Sequence, residues 1–268
     1  MKERPRIEPS KITDDLYWVG VNAAAPSHLL VTDDGLVLID SGSTNTIDGL
    51  IENITSLGFD VHDVKHIIHS HAHYDHVGAT NKIVAISGAK TYGSAQDADS
   101  YRGKNKILWC LHTPPENENE FYFEPDVLIN DGDVLEIGGR RMRFLVTPGH
   151  TEGVLSMFYP VHYKGKEYIA GSFGGAGYNS LKEEYLDHFS LPYSLREDYI
   201  ISTERLMRER VDVHIGNHPG NNRHGDKAAR LTADYNPFVE ENTWQSFLVA
   251  QRNGLIERYN LDFPIIEE

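Results

Sequence analysis

His69-Ser70-His71-Ala72-His73-Tyr74-Asp75-His76 follows a strand-like run at residues 64–68 and precedes a segment with helical spacing at 77–86. In extended backbone, residues two apart point to the same side, so His71 and His73 can present their imidazoles to one ion. Asp75 and His76 sit at the turn into the helix, face differently, and can serve a neighbouring ion. A His-rich surface turn is the plain alternative. Imidazoles and a carboxylate at this spacing are what a metal site requires, and one ion would not need so many ligands packed so closely.

Outward from this stretch, the chain alternates strands and helices. Residues 16–21, 28–32 and 36–39 are short aliphatic runs, separated by 22–26 and by the turn residues Asp33-Asp34-Gly35. Ile47, Leu50, Ile51, Ile54 and Leu57 then fall at helical spacing, with Ser43 or Thr44 as N-cap and Gly58 as the residue that closes the helix. A strand follows at 90–92. The pattern dissolves over 103–125, a Pro- and Asn-rich stretch containing Trp109, Cys110 and His112, which reads as a long surface loop. Strands return at 134–137, 141–146, 155–159 and 168–170, the last two joined across the hairpin signal Lys164-Gly165-Lys166. A helix at 196–208, a strand at 211–215 and helical segments at 227–232 and 242–259 complete the reading, with Gly254 weakening the continuity of the last. With strands and helices in both halves and no linker, the pattern predicts one domain of layered sheets and helices.

The 268 residues include 40 acidic and 25 basic side chains, a formal charge of −15, 14 His and one Cys. A core of this size can bury roughly 70–75% of the unfolded surface. A single Cys excludes a disulfide framework and a cysteine-rich zinc module. The acidity argues against nucleic acid, whose phosphates need a basic groove. No run approaches the length of a membrane span, and residues 1–9 lead into no apolar signal segment. A cytoplasmic location is expected, or a periplasmic or secreted one if a leader precedes this chain.

Residues His71 to His76 match the His-x-His-x-Asp-His motif of the metallo-β-lactamase superfamily. Three further stretches match in order: Leu38-Ile39-Asp40-Ser41-Gly42, Thr147-Pro148-Gly149-His150-Thr151 and His214-Ile215-Gly216-Asn217-His218-Pro219. The resemblance spans about 16–231. It implies an α+β chain folded as a four-layer αβ/βα sandwich with the metal site at one edge of the two sheets. One domain would cover 1–268, with a helical extension from about 233. The resemblance also implies two zinc ions per chain, one held by His71, His73 and His150 and the other by Asp75, His76 and His218. His214 and His224 compete with His218, but His214 alternates within a strand and suits a structural role, and His224 suits the surface. Asp40, at a strand end, supports the His-rich loop by hydrogen bonds rather than ligating. His69 does not occupy a ligand position, and His28, His62, His66, His112, His162 and His188 read as surface or packing residues.

Many members of the superfamily place a bridging Asp where this chain has Ser172. That departure resembles the third subclass of metallo-β-lactamases, which pairs Asp-His-His at the second metal with Ser at this point. Cys110 lies far from the position of the ligand in the cysteine-using subclass. Gly177-Tyr178 also resembles the third subclass, which makes Tyr178 a candidate to donate to a substrate carbonyl oxygen; packing within a Gly-rich loop is its other reading. Gly174 stands where a second Ser often holds a β-lactam carboxylate. The resemblance thus implies a hydrolase in which zinc-bound hydroxide attacks a carbonyl, with Asp75 orienting or shuttling its proton. A β-lactam-type amide is the first substrate class, and a lactone, ester or other small amide the second. A non-hydrolytic metal-binding or redox protein is the remote third. The expected partner is a small carbonyl compound, with no nucleic acid and no membrane. Trp109, Phe173 and Tyr178 are candidates to line its groove.

Overall fold

The computed structural model describes residues 4–105 and 120–267. Trp109, Cys110 and His112 lie outside the described residues. The first half of the chain builds β1 (Ser10–Lys11), β2 (Leu16–Trp18), β3 (His28–Thr32), β4 (Gly35–Ile39), α1 (Ile47–Ser56), β5 (Val64–Ile68), α2 (Tyr74–Val77), α3 (Thr80–Ser87), β6 (Lys90–Ser94), α4 (Ala98–Tyr101) and β7 (Val127–Ile129). The second half adds β8 (Val134–Ile137), β9 (Arg140–Val146), β10 (Leu155–Tyr163), β11 (Lys166–Ser172), α5 (Glu183–Phe189), α6 (Leu195–Leu206), β12 (Val213–His214), α7 (His224–Arg230), α8 (Pro237–Glu240) and α9 (Trp244–Tyr259).

Local chemistry explains the clearest elements. In α1, Ile47, Leu50 and Ile54 are buried on one face. Gly58 ends the run at φ +87°, in the left-handed region that glycine enters without strain. The β10–β11 hairpin turns at Lys164 and Gly165, with φ of 50° and 73°. Two successive positive φ values are those of a type I′ turn, whose twist matches that of the flanking strands. Helix α9 runs unbroken through Gly254, where a Cβ would lie 2.8 Å from the Tyr178 hydroxyl, so this glycine makes room for a neighbouring side chain rather than breaking the helix.

Strands β1 to β7 form one sheet in sequential order, and β12-β11-β10-β9-β8 form the second. Apolar side chains from both inner faces, among them Trp18, Val37, Ile68, Phe144, Met157 and Tyr159, fill the space between the sheets. Ile47, Leu50, Ile54 and Ile83 pack α1 and α3 on the outside of the first sheet. Leu195, Tyr199, Trp244, Leu248 and Leu255 pack α6 and α9 on the outside of the second. The result is the expected four-layer αβ/βα order.

Strand direction places the site. Strands β4, β5 and β6 are mutually parallel. In the other sheet β9 and β11 both run antiparallel to β10, and β12 is parallel to β11. The chain therefore leaves β4, β5 and β6 at one end of their sheet, and β9, β11 and β12 at one end of theirs. Those exits lead to Asp40, the 69–76 stretch, Asp97, His150, Ser172 and His218 respectively.

One expectation is corrected by burial. His224 is 1% exposed rather than superficial. Its ring lies 4.8 Å from that of Trp18 and 5.2 Å from that of Phe238, and its Nε2 is 2.9 Å from Ser10 Oγ. His214 is also buried, with Nδ1 2.9 Å from Thr243 Oγ1 and its ring against Trp244 and Phe247.

Candidate metal centre

Two groups of ligand atoms form at this edge: His71, His73 and His150, and Asp75, His76 and His218, with the atoms within each group no more than 4.8 Å apart. The structure thus brings together all six residues named as ligands. His71 and His73 precede α2, and Asp75 and His76 lie within it. His76 Nε2 and His218 Nε2 each stand 3.6 Å from Asp75 Oδ2. His73 Nδ1 and His150 Nε2 face each other at 3.0 Å.

The outer nitrogens fix how the rings point. His150 Nδ1 donates to Gly177 O at 3.0 Å, His218 Nδ1 to Ala23 O at 3.0 Å, and His76 Nδ1 to Asp40 Oδ2 at 2.7 Å. A ring that donates from Nδ1 presents a lone pair at Nε2, the arrangement by which supporting groups orient metal-binding imidazoles. Ser70 Oγ lies 3.1 Å from His71 Nδ1, and Tyr185 Oη lies 3.2 Å from His73 Nε2. His71 Nε2 and His76 Nε2 are buried with no protein hydrogen-bond partner. Orphaned buried nitrogens are costly in a native fold, and a cation in each of the two groups would meet one of them. The donor set, imidazoles with one carboxylate, suits zinc.

Electrostatics agrees with that use. Burial, followed by repulsion from neighbouring imidazoles, holds His71 and His73 well below the ordinary histidine pKa of 6.5. Burial lowers His150 to about 4. These rings are therefore neutral at pH 7, the form that ligates. His76 differs: burial works to lower it, but the Asp40 and Asp75 carboxylates reverse the sign and raise it.

Asp40 is a support, as its place in the sequence suggests. Its Oδ1 accepts from Ser70 N at 2.7 Å, and Oδ2 accepts from Ser70 Oγ at 2.8 Å and from His76 Nδ1. Burial alone would raise its pKa, but the His76 ring and the Ser70 donors hold it below the usual carboxylate value. Ser172 ends β11, opposite Met157. Gly174 has a steric reason: a Cβ there would lie 2.1 Å from Leu155 O and 3.1 Å from Ser70 Cβ.

Tyr178 departs from the role expected of it. Its hydroxyl donates to Gln251 O in α9 at 2.6 Å, and its ring packs on Tyr199 at 5.8 Å. Its one proton is spent on a backbone carbonyl, so the structure favours packing over oxyanion binding. Tyr178→Phe is expected to leave turnover within about threefold and to cost about 1 kcal/mol of stability for the lost hydrogen bond. A hundredfold drop in kcat with unchanged thermal stability would restore the catalytic role.

Sequence reasoning did not single out Ser70, Asp97, Ser180 or Tyr185. Ser180 Oγ donates to His150 O at 2.6 Å, and Asp97 bonds to both ligand-bearing loops. Only Ser70, inside the His-rich stretch, carried a signal, since the residue beside a ligand is a natural place for a support.

A four-layer αβ/βα sandwich with two such ligand groups at the ends of its strands defines a class of metalloproteins. The metallo-beta-lactamase superfamily pattern matches residues 23–163, and this chain belongs to that superfamily. Among solved structures, it is similar to the native FEZ-1 metallo-beta-lactamase from Legionella gormanii, at 26% identity and a TM-score of 0.82, covering 97% of this chain and 98% of that one. BJP-1, a subclass B3 metallo-beta-lactamase of Bradyrhizobium japonicum, shares the fold at 22% identity and a TM-score of 0.77, covering 95% of this chain and 94% of that one. A hydroxyacylglutathione hydrolase from Serratia proteamaculans is 34% identical over 98 residues, 36% of this chain and 30% of that protein. The chain spans half or less of the length of such curated relatives. The expected family and sandwich fold agree with these comparisons. Among the described residues, no helix is long and apolar enough to cross a membrane.

Proposed function

We propose that this chain is a zinc-dependent hydrolase of carbonyl compounds, with a β-lactam-type amide as its first substrate class. The observation that carries the reading is the convergence of His71, His73 and His150 beside Asp75, His76 and His218, with outer nitrogens held by Gly177, Ala23 and Asp40. Zinc at such a site supplies Lewis-acid polarisation of a carbonyl and lowers the pKa of bound water to about 7. Because His71, His73 and His150 are neutral imidazoles, they would hold an ion without cancelling its positive charge. Asp75, with its side chain 29% exposed, can take the proton released when water attacks. The likeness to the Legionella gormanii enzyme over nearly the whole chain favours a β-lactam.

A second reading, hydrolysis of a lactone, ester or other small amide, is favoured by Gly174. The crowding around it leaves no space for the serine that holds a β-lactam carboxylate. The zinc-loaded protein assayed in parallel with nitrocefin, a lactone and a thioester separates the two. Nitrocefin turnover that a chelator abolishes and added zinc restores is the expected result. Turnover of only the other substrates selects the second reading, and hydrolysis of none of them overturns the proposal.

A further inference from the structure

The first ligand group is assembled from two loops far apart in sequence, and their separation has to be set by something other than the ligands. Asp97 follows β6 at the start of α4 and is 3% exposed. Its Oδ2 accepts from the Ala72 N–H at 3.1 Å, the amide between His71 and His73. The same oxygen accepts from Thr151 Oγ1 at 2.8 Å, next to His150. Its Oδ1 accepts from the Gly153 N–H at 2.8 Å. One carboxylate thus joins the loop after β5 to the loop after β9, and these loops carry every member of the His71, His73 and His150 group. The fit is close, since a Cβ on Gly153 would lie 2.1 Å from Ser94 Oγ and 2.5 Å from Asp97 Cγ.

A buried carboxylate normally needs a cation, yet the groups acting on Asp97 are neutral donors and a nearby acid, Glu152. An uncompensated acid is a costly way to tie two loops. The cost is offset if the tie serves a neighbouring cation, whose positive charge would also favour the ionised form. The geometry points to Asp97 as a positioning residue that sets the spacing of the His71, His73 and His150 nitrogens, and so the metal affinity of that group. This inference rests on the reading that the group binds metal.

The test uses the full zinc-loaded chain and its Asp97→Asn and Thr151→Val variants. Chelator competition measures the affinity of each zinc equivalent, and the visible spectrum of the cobalt-substituted protein reports coordination geometry. In Asp97→Asn an amide N–H₂ faces groups that are themselves donors. One zinc equivalent should then bind roughly 10- to 100-fold more weakly, the range for groups that orient ligands, with a changed cobalt spectrum and the other equivalent unaltered. Thr151→Val removes a single bond and should give a smaller loss in the same equivalent; it carries the test if Asp97→Asn does not fold. Unchanged zinc affinity in folded variants, even with a lowered melting temperature of the metal-free protein, overturns the inference by reducing Asp97 to a structural tie. Failure of the underlying reading looks different: the parent chain binds no zinc, or His150→Ala keeps both equivalents.

Discussion

His150→Ala removes one zinc equivalent and lowers the proposed hydrolysis by more than about 100-fold, beyond the loss expected when a supporting group of a metal ligand is changed. The ring is fixed at both ends. Nδ1 is held by Gly177 O at 3.0 Å, with Ser180 Oγ 3.1 Å away, and Nε2 points at His73 Nδ1. The imidazole thus closes a three-nitrogen group that His71 and His73 leave open. Alanine deletes the donor without disturbing the backbone, because the Ser180 bond to the residue 150 carbonyl survives. The metal-free variant should therefore melt close to its parent while the metal content falls. Zinc content by elemental analysis, read beside initial rates, checks this, and a variant with full activity would sink the ligand assignment.

Asp40→Ala should have the largest effect on the fold. The Asp40 carboxylate partners Ser70 N, Ser70 Oγ and His76 Nδ1, and the side chains of both Asp40 and His76 are nearly inaccessible, at 5% and 0% exposed. Removing it strands buried donors beneath the His-rich loop. Breaking a buried charged pair from one side costs about 3–5 kcal/mol. In a chain of this size, that corresponds to a drop of roughly 6–20 °C in melting temperature for the metal-free protein. Backbone geometry supplies the control. Asp40 sits at φ +60°, a region that Asn enters more readily than most residues. Asp40→Asn keeps the turn and the shape but not the charge, so it should recover part of the stability while zinc still binds about 10- to 100-fold more weakly. A melting temperature for Asp40→Ala within 1–2 °C of the parent would show that this network does not hold the loop.

How far these features were legible in the sequence depends on how local their causes are. The His71–His76 stretch is legible because the two-residue period of extended backbone and the turn into α2 decide where each side chain points. His150 and His218 are separated from it by most of the fold, and no spacing rule connects them; the family motifs supplied those two. Strands β3 and β8 and helix α1 stand close to their expected bounds because their patterns are long enough to read. Strand β1 has two residues and β7 three, too few to establish a period. His224 reads as superficial because nothing beside it in the chain announces Trp18 and Phe238, which bury it.

By itself the sequence determined the family, the sandwich and the identity of the six candidate ligands, since each rests on residues whose types and order are fixed along the chain. The tertiary structure decided which way the polar groups point. Tyr178 has the position the motif assigns, but the Gln251 carbonyl in α9 takes its proton. Gly174 reads as a lost serine, but the Leu155 carbonyl and Ser70 leave it no room. Asp97 carries no signal in its own segment, yet it bonds to Ala72, Thr151 and Gly153. The physical reason is the same in each case. A buried hydrogen-bonding group is governed by the donors, acceptors and free volume that reach it from distant segments, and those exist only once the sheets have packed.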